Sequence, residues 1–239
     1  MKIRRLSEID LARIGPLETN EKRHRLRLLK FGRPPHTYGP LRGQLGDILN
    51  LQPEMFGSST QATPWENISA AILKAASHEG EAKFNLAVAK SLYDYAIEKN
   101  IRSFRKPVSA WPVGYGQAVA YWWNLYMVIE DRPAFIFADP RISNPLTRDG
   151  RKFALSLMHE RIRVPDPDFA DSKLIVAQFA KGENGARVIR LFDATDDDLF
   201  TVDQLNEMID ETYKIWIEVL HERADDERKK ASGSNPMGF

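Results

Sequence analysis

The segment Tyr121–Arg163, YWWNLYMVIEDRPAFIFADPRISNPLTRDGRKFALSLMHERIR, decides the fold by where its apolar runs begin and stop. Tyr121 to Ile129 is aromatic and β-branched, the composition that suits a pleated, half-buried surface. Glu130-Asp131-Arg132-Pro133 breaks that run, and Ala134 to Ala138 resumes it. Two apolar runs across a short polar break predict a hairpin. The second strand ends in Asp139-Pro140-Arg141, which sets an acid and a guanidinium at the mouth of a sheet, and a helix is predicted from about Thr147 to Arg163.

Working outward, the helix-start signal Thr63-Pro64-Trp65-Glu66 combines a capping threonine, a proline at the first helical position and a glutamate able to reach back. It opens a helix running to about Ala76. A second helix, about Gly80 to Asn100, carries Phe84, Ala87, Val88, Leu92, Tyr95 and Ala96 at near-3.6 spacing. Arg102 to Gly116, with two prolines and two glycines, reads as a loop. Past the central segment, Lys173 to Ala180 is a buried strand, Gly182 to Gly185 a turn, and Ala186 to Phe192 its hairpin partner at the sheet edge. Thr201 and Gln204 form a capping box for a last helix striped by Leu205, Met208, Ile209, Thr212, Ile215, Trp216 and Val219. The order predicts an α/β or α+β fold, with helices covering a mixed central sheet of about four to five strands.

Three regions follow: a basic N-terminal arm over 1–45, one α/β domain over 46–225, and a charged, disordered tail over 226–239. The arm holds eleven Lys/Arg against four Asp/Glu, so it is +7 while the whole chain is +1. Glu18 to Lys30 can form a helix with a narrow apolar edge at Leu26, Leu28 and Leu29, stopped by Gly32-Arg33-Pro34-Pro35. Eight of the eleven cations are arginine, the side chain suited to bidentate phosphate contacts. Arg4, Arg5, Lys22, Arg23, Arg25, Arg27, Lys30 and Arg33 are therefore the candidate nucleic-acid contacts. The other reading of the same charge is an extension that wraps its own domain or a protein partner.

Several classes drop out. With no cysteine there is no disulfide framework, thiolate metal site or cysteine nucleophile. No apolar run reaches the length of a membrane span, and the N-terminus lacks the apolar core of a signal peptide, so a cytoplasmic bacterial protein is expected. Gly114-Tyr115-Gly116 lacks the Lys-Ser/Thr and the preceding strand of a phosphate-binding loop, and no two of the five histidines sit at helical zinc spacing. Asp166, Asp168 and Asp171 form an acidic loop that could offer oxygens to a divalent cation, but without the glycine and final glutamate of an EF-hand. Asp196-Asp197-Asp198 precedes the Thr201 cap, where negative charge suits a helix dipole.

Asp139 remains as the candidate catalytic acid. The order helix–strand–strand–strand–helix–strand over about Gly80 to Phe192 resembles the core of the PD-(D/E)XK nuclease-like superfamily. That resemblance implies two acids binding Mg²⁺ and a lysine that positions the attacking water. Glu130 or Asp131 would take the first acid's place, Asp139 the second and metal-binding one, and Arg141 the lysine's. The sequence departs from the motif at three points: Glu130 and Asp131 fall at a turn, Pro140 interrupts the third strand, and arginine stays charged where a lysine could pass on a proton. His159 is a candidate general base if the helix after Thr147 folds back to bring it beside Asp139 and Arg141.

The aromatic group Trp111, Tyr115, Tyr121, Trp122, Trp123 and Tyr126 could stack bases beside the arm. The sequence thus favours nucleic-acid or nucleoprotein binding (DNA or RNA) through the arm, without a cofactor. Its alternatives are a Mg²⁺-dependent nuclease centred on Asp139, and a non-enzymatic subunit of a protein complex whose arm contacts a protein partner.

Overall fold

The computed structural model describes residues 3, 5–29, 37–53, 61–114, 116–120, 123–193 and 199–233. A five-stranded sheet divides the molecule into two helical layers. Its strands, in spatial order, are β1 (Arg102–Arg105), β4 (Leu125–Ile129), β5 (Arg132–Asp139), β6 (Lys173–Lys181) and β7 (Arg187–Asp193). Neighbours run antiparallel except β5 and β6, which are parallel with Asp139 opposite Gln178. Parallel strands need a crossover, supplied by α7 (Arg148–Met158) and the π-helical turn His159–Arg163 that prolongs it.

The expected hairpin forms between β4 and β5, with Glu130 and Asp131 both at positive φ (53° and 59°), the pattern of a primed two-residue turn. Proline at position 133 is already inside β5. Alternation then assigns the two cores. Phe135 and Phe137 face one layer, while Ala134, Ile136 and Ala138 face the other. The first layer contains α1 (Glu8–Ile14), α2 (Thr19–Leu28), α7 and α8 (Val202–Gly233). The second contains α3 (Gly39–Gly43), α4 (Leu45–Ile48), α5 (Trp65–Ala75) and α6 (Glu79–Glu98).

Four expectations change. The stretch read as a loop, Arg102 to Gly116, contains β1, β2 (Trp111–Gly114) and most of the turn to β3 (Gln117–Val119), which pairs with β2 in a separate ribbon. The Pro/Gly content governs the joints, while Ile101, Ser103, Trp111 and Val113 supply buried positions. Within the strand predicted from Tyr121, Trp123 and Asn124 are irregular and β4 starts at Leu125. Thr63 does not cap α5: Pro64 occupies the N-cap, and the Thr63 hydroxyl donates to Asp47 at 2.9 Å. The charged stretch assigned to a tail continues α8 through Gly233. The Thr201–Gln204 box closes as expected, each backbone N–H bonded to the other's side chain, at 2.9 and 3.2 Å.

Candidate functional site

The basic arm is part of the body. Leu6, Leu11, Ala12, Ile14 and Leu26 are buried in the first core. Helix α2 lies along α8 and matches its cations to three glutamates spaced seven and four residues apart, a spacing that puts them on one helical face. Lys22, itself buried, pairs with Glu211, which also accepts from the Thr19 hydroxyl at 2.5 Å. Arg23 pairs with Glu218 and reaches Glu222 at 3.4 Å. Arg27 engages Glu222 with two nitrogens, both at 3.0 Å. In return Arg223 donates to the carbonyls of Leu26 and Arg27 at the end of α2. The contacts from Lys22 and Thr19 hold the Glu211 carboxyl below the usual carboxylate range. Arg25 pairs within α2 with Glu21, and Arg5 donates to the Ala118 carbonyl. Arg4, Lys30 and Arg33 lie outside the described residues.

The acids proposed for a metal stand apart. Glu130 and Asp131 precede β5 and Asp139 ends it, so about 25 Å of extended chain lies between them. Glu130 is exposed and pairs with Lys173 at 2.8 Å, a contact that lowers its pKa. Asp139 is fully buried and already engaged. One oxygen accepts from Arg13 Nη2 at 2.8 Å and from the Leu146 N–H at 3.2 Å, and the other lies 3.4 Å from the Arg141 N–H. Across the parallel pair, Gln178 Nε2 donates to the Leu146 carbonyl at 3.0 Å. Asp139 and Gln178 thus hold both polar groups of one peptide residue and fix the approach to α7, whose N-cap Thr147 accepts from the Gly150 N–H.

Arg141 turns to Asp10, at 2.8 Å, and Arg13 approaches the same carboxylate at 3.6 Å. Burial pushes the Asp10 carboxyl up, but the charge and hydrogen bond of Arg141, with Ser7 and Arg13, outweigh it and leave the pKa lowered. His159 is not a neighbour: α7 carries it about 18 Å of helix rise beyond Thr147. Arg161 caps the carbonyls of Ser109 and Ala110 and lies over Trp111. Among the described residues no group of three or more histidine or acidic side chains could hold a metal ion. In the acidic loop, Asp166 is tied to Lys106 at 2.5 Å and accepts from the Asp168 N–H.

The described members of the aromatic group belong to the core. Trp111 and Trp123 are buried, and Tyr126 packs among Phe104, Phe135 and Phe169. Tyr115, Tyr121, Trp122 and the Asp196–Asp198 run lie outside the described residues.

What sequence reading missed is a cleft of about 860 Å³ beyond the C-terminal end of β5. Arg5, Tyr38, Arg42, Phe84, Arg141 and Arg187 line it. Its floor is set by Pro140, whose carbonyl accepts from the Tyr38 hydroxyl at 3.0 Å and from Arg187 at 3.4 Å. Its rim at Thr37 to Arg42 is anchored on α6. Asn85 accepts from the Leu41 N–H and donates to the Thr37 carbonyl, while the Glu81 carboxylate accepts from the N–H groups of Thr37 and Ser77, both at 2.7 Å, and the Thr37 hydroxyl. The signal was available in principle, because an open α/β sheet binds ligands beyond the carboxyl ends of its strands.

Those hydrogen bonds, led by the one from the Ser77 N–H, hold the Glu81 carboxyl at about 2, against an ordinary 4.5. A depressed acid contributes stability above its unfolded-chain pKa and loses it as pH falls through the folded one. Glu81→Gln should therefore flatten the loss of stability between about pH 4.5 and 2, read as the urea midpoint against pH.

Fold and site together make this a three-layer α/β/α protein whose described residues present surfaces and a cleft, with Asp139 engaged by Arg13 and Glu130 by Lys173. The chain belongs to the family described as sliding clamp-binding bacterial toxin SocB, whose model matches residues 9–226. It is 34% identical over 235 residues to the DNA replication inhibitor toxin SocB of Caulobacter vibrioides, covering 98% of each chain. No solved structure matches it. The family corrects the functional reading: it is one of toxins that bind a protein, the sliding clamp, so neither the nucleic-acid-binding reading of the arm nor the nuclease reading of Asp139 stands. The expectation of a bacterial, protein-binding chain is the one that fits. No helix among the described residues is long and apolar enough to cross a membrane.

Proposed function

We propose that this chain is a replication-inhibiting toxin that works by occupying the sliding clamp, as a protein ligand and not as an enzyme. The observation that carries the reading is the family match over residues 9–226, which spans both helical layers and the whole sheet. Near full-length identity to a replication inhibitor supports it. The geometry supports the non-enzymatic part: Lys22, Arg23 and Arg27 face glutamates of α8, and Asp139 faces Arg13. A target in the replication machinery implies action in the cytoplasm.

Primer extension by a clamp-dependent polymerase tests the reading. Added protein should abolish the clamp-stimulated synthesis and leave the same polymerase's clamp-free synthesis unchanged. Equal inhibition of both, or template degradation in Mg²⁺, would overturn it.

A further inference from the structure

The cleft beyond β5 gathers more cations than acids in its lining. Arg5 comes from the N-terminal stretch, Arg42 from α3, Arg141 from the loop after β5 and Arg187 from the start of β7, yet all four line one concavity. The one acid in that lining is Glu8; Asp10 lies behind, paired with Arg141. Four cations from four separate elements are not the product of one helix's charge pattern. Their mutual repulsion is a folding penalty that an anion would remove. At Arg42, partial burial is the main influence that lowers the guanidinium's pKa; the Glu8 carboxylate opposes it, and the Arg5 charge adds a smaller push downward. On the opposite side, Arg187 and Arg141 act on the Tyr38 hydroxyl, whose pKa burial raises.

Ser7, Thr37, Tyr38 and Ser143 add polar groups to the lining, and the rest of it is apolar. Phe84 (37% exposed) and Ile142 (41% exposed) are among the largest apolar side chains the surface shows, and both belong to this cleft. The Arg187 guanidinium lies 6.0 Å from the Phe84 ring centroid, which sets a charged plane beside an aromatic one. Apolar walls with a few convergent cations, at a volume within the ordinary range for small-molecule sites, describe a ligand of modest size with one anionic and one flat apolar part. A flat macromolecular surface would not fill such a concavity.

We infer that the cleft beyond the C-terminal end of β5 binds a phosphate-bearing small molecule of the nucleotide class, its phosphates held among Arg5, Arg42, Arg141 and Arg187 and its ring against Phe84 and Ile142. The assignment does not depend on the clamp reading: it concerns a second ligand, and clamp binding can stand or fall without it. It also differs from the nucleic-acid reading, because a cleft of this size takes a single nucleotide and not a strand.

The test uses the full chain and isothermal titration with pyrophosphate, ADP, ATP and GTP at constant ionic strength, with sulfate as a control anion. A nucleoside diphosphate is expected to bind, and pyrophosphate to bind more weakly. Arg42→Gln should weaken both by about tenfold or more, the loss of one charge-assisted contact. Phe84→Ala should weaken ADP several-fold and leave pyrophosphate unchanged. The melting temperature of each variant is measured beside its titration, and a variant that melts with the parent but binds less separates lost binding from lost fold. The inference fails if none of the four ligands binds, if sulfate competes equally with ADP, or if Arg42→Gln and Phe84→Ala bind as the parent does. It fails also if only an acidic peptide competes for the cleft, which would make it a protein-contact surface.

Discussion

Asp139→Ala should lower the melting temperature by about 10 °C, the largest effect we expect from one substitution. The carboxylate is fully buried and accepts from Arg13 at 2.8 Å and the Leu146 N–H at 3.2 Å. Truncation leaves a guanidinium whose remaining carboxylate contact, Asp10, is at 3.6 Å, and whose buried Nε has no hydrogen-bond partner. Breaking such a pair from one side costs about 3–5 kcal/mol, because the surviving charge stays out of water. At this chain length each kcal/mol corresponds to about 2–4 °C. Asp139→Asn keeps an acceptor for Leu146 and should lose less. The double variant Arg13→Met/Asp139→Ala removes both charges and should recover part of the loss, which a double-mutant cycle would measure. A catalytic aspartate behaves otherwise: neutralising it commonly leaves stability unchanged or improved. An unchanged melting temperature in Asp139→Ala would therefore remove our structural assignment of this residue.

Asn85→Ala should be the next most damaging change, at about 3 kcal/mol. Its amide is fully buried and uses both ends: Oδ1 accepts from the Leu41 N–H at 2.9 Å, and Nδ2 donates to the carbonyls of Thr37 and Glu81, both at 2.8 Å. Each buried backbone group left without a partner costs about 1–3 kcal/mol. Asn85→Asp is the informative companion. It retains the acceptor for Leu41 but turns a second oxygen, with negative charge, toward two carbonyls and the neighbouring Glu81, so it should be at least as damaging as alanine. Because Asn85 ties the Thr37–Arg42 rim of the cleft to α6, both variants should speed hydrogen exchange at the Leu41 amide far more than at amides in β5 or β6. Uniform acceleration across the sheet would mean that Asn85 supports the fold as a whole and not the rim.

The sheet was legible in the sequence where the signals were local. The polar break at Glu130–Pro133, the run from Lys173 and the Thr201–Gln204 box each act within a few residues; the latter two appear as read, and the break forms the hairpin with its turn narrowed to Glu130-Asp131. The ribbon of β2 and β3 was not, because its four- and three-residue strands are shorter than the period needed to show alternation. The arm illustrates a different failure. Its charge was counted against its own segment, while the compensating Glu211, Glu218 and Glu222 lie about 190 residues away on α8. Their common helical face was readable, but the pairing with Lys22, Arg23 and Arg27 required the tertiary arrangement. Asp139 failed for the same reason: a strand-end acid looks alike in sequence whether it meets a metal or, as here, an arginine 126 residues earlier. The cleft escaped notice because its four arginines come from four elements that no local pattern connects.

The most direct test of the account is a binding titration of the purified full chain against the purified sliding clamp of the same bacterium, run beside duplex DNA at near-physiological and raised salt. We predict a saturable complex with the clamp that persists as salt rises, and no DNA complex at near-physiological salt, because Lys22, Arg23 and Arg27 are already paired with glutamates of α8. Binding to DNA with a steep salt dependence, together with no complex with the clamp, would contradict it.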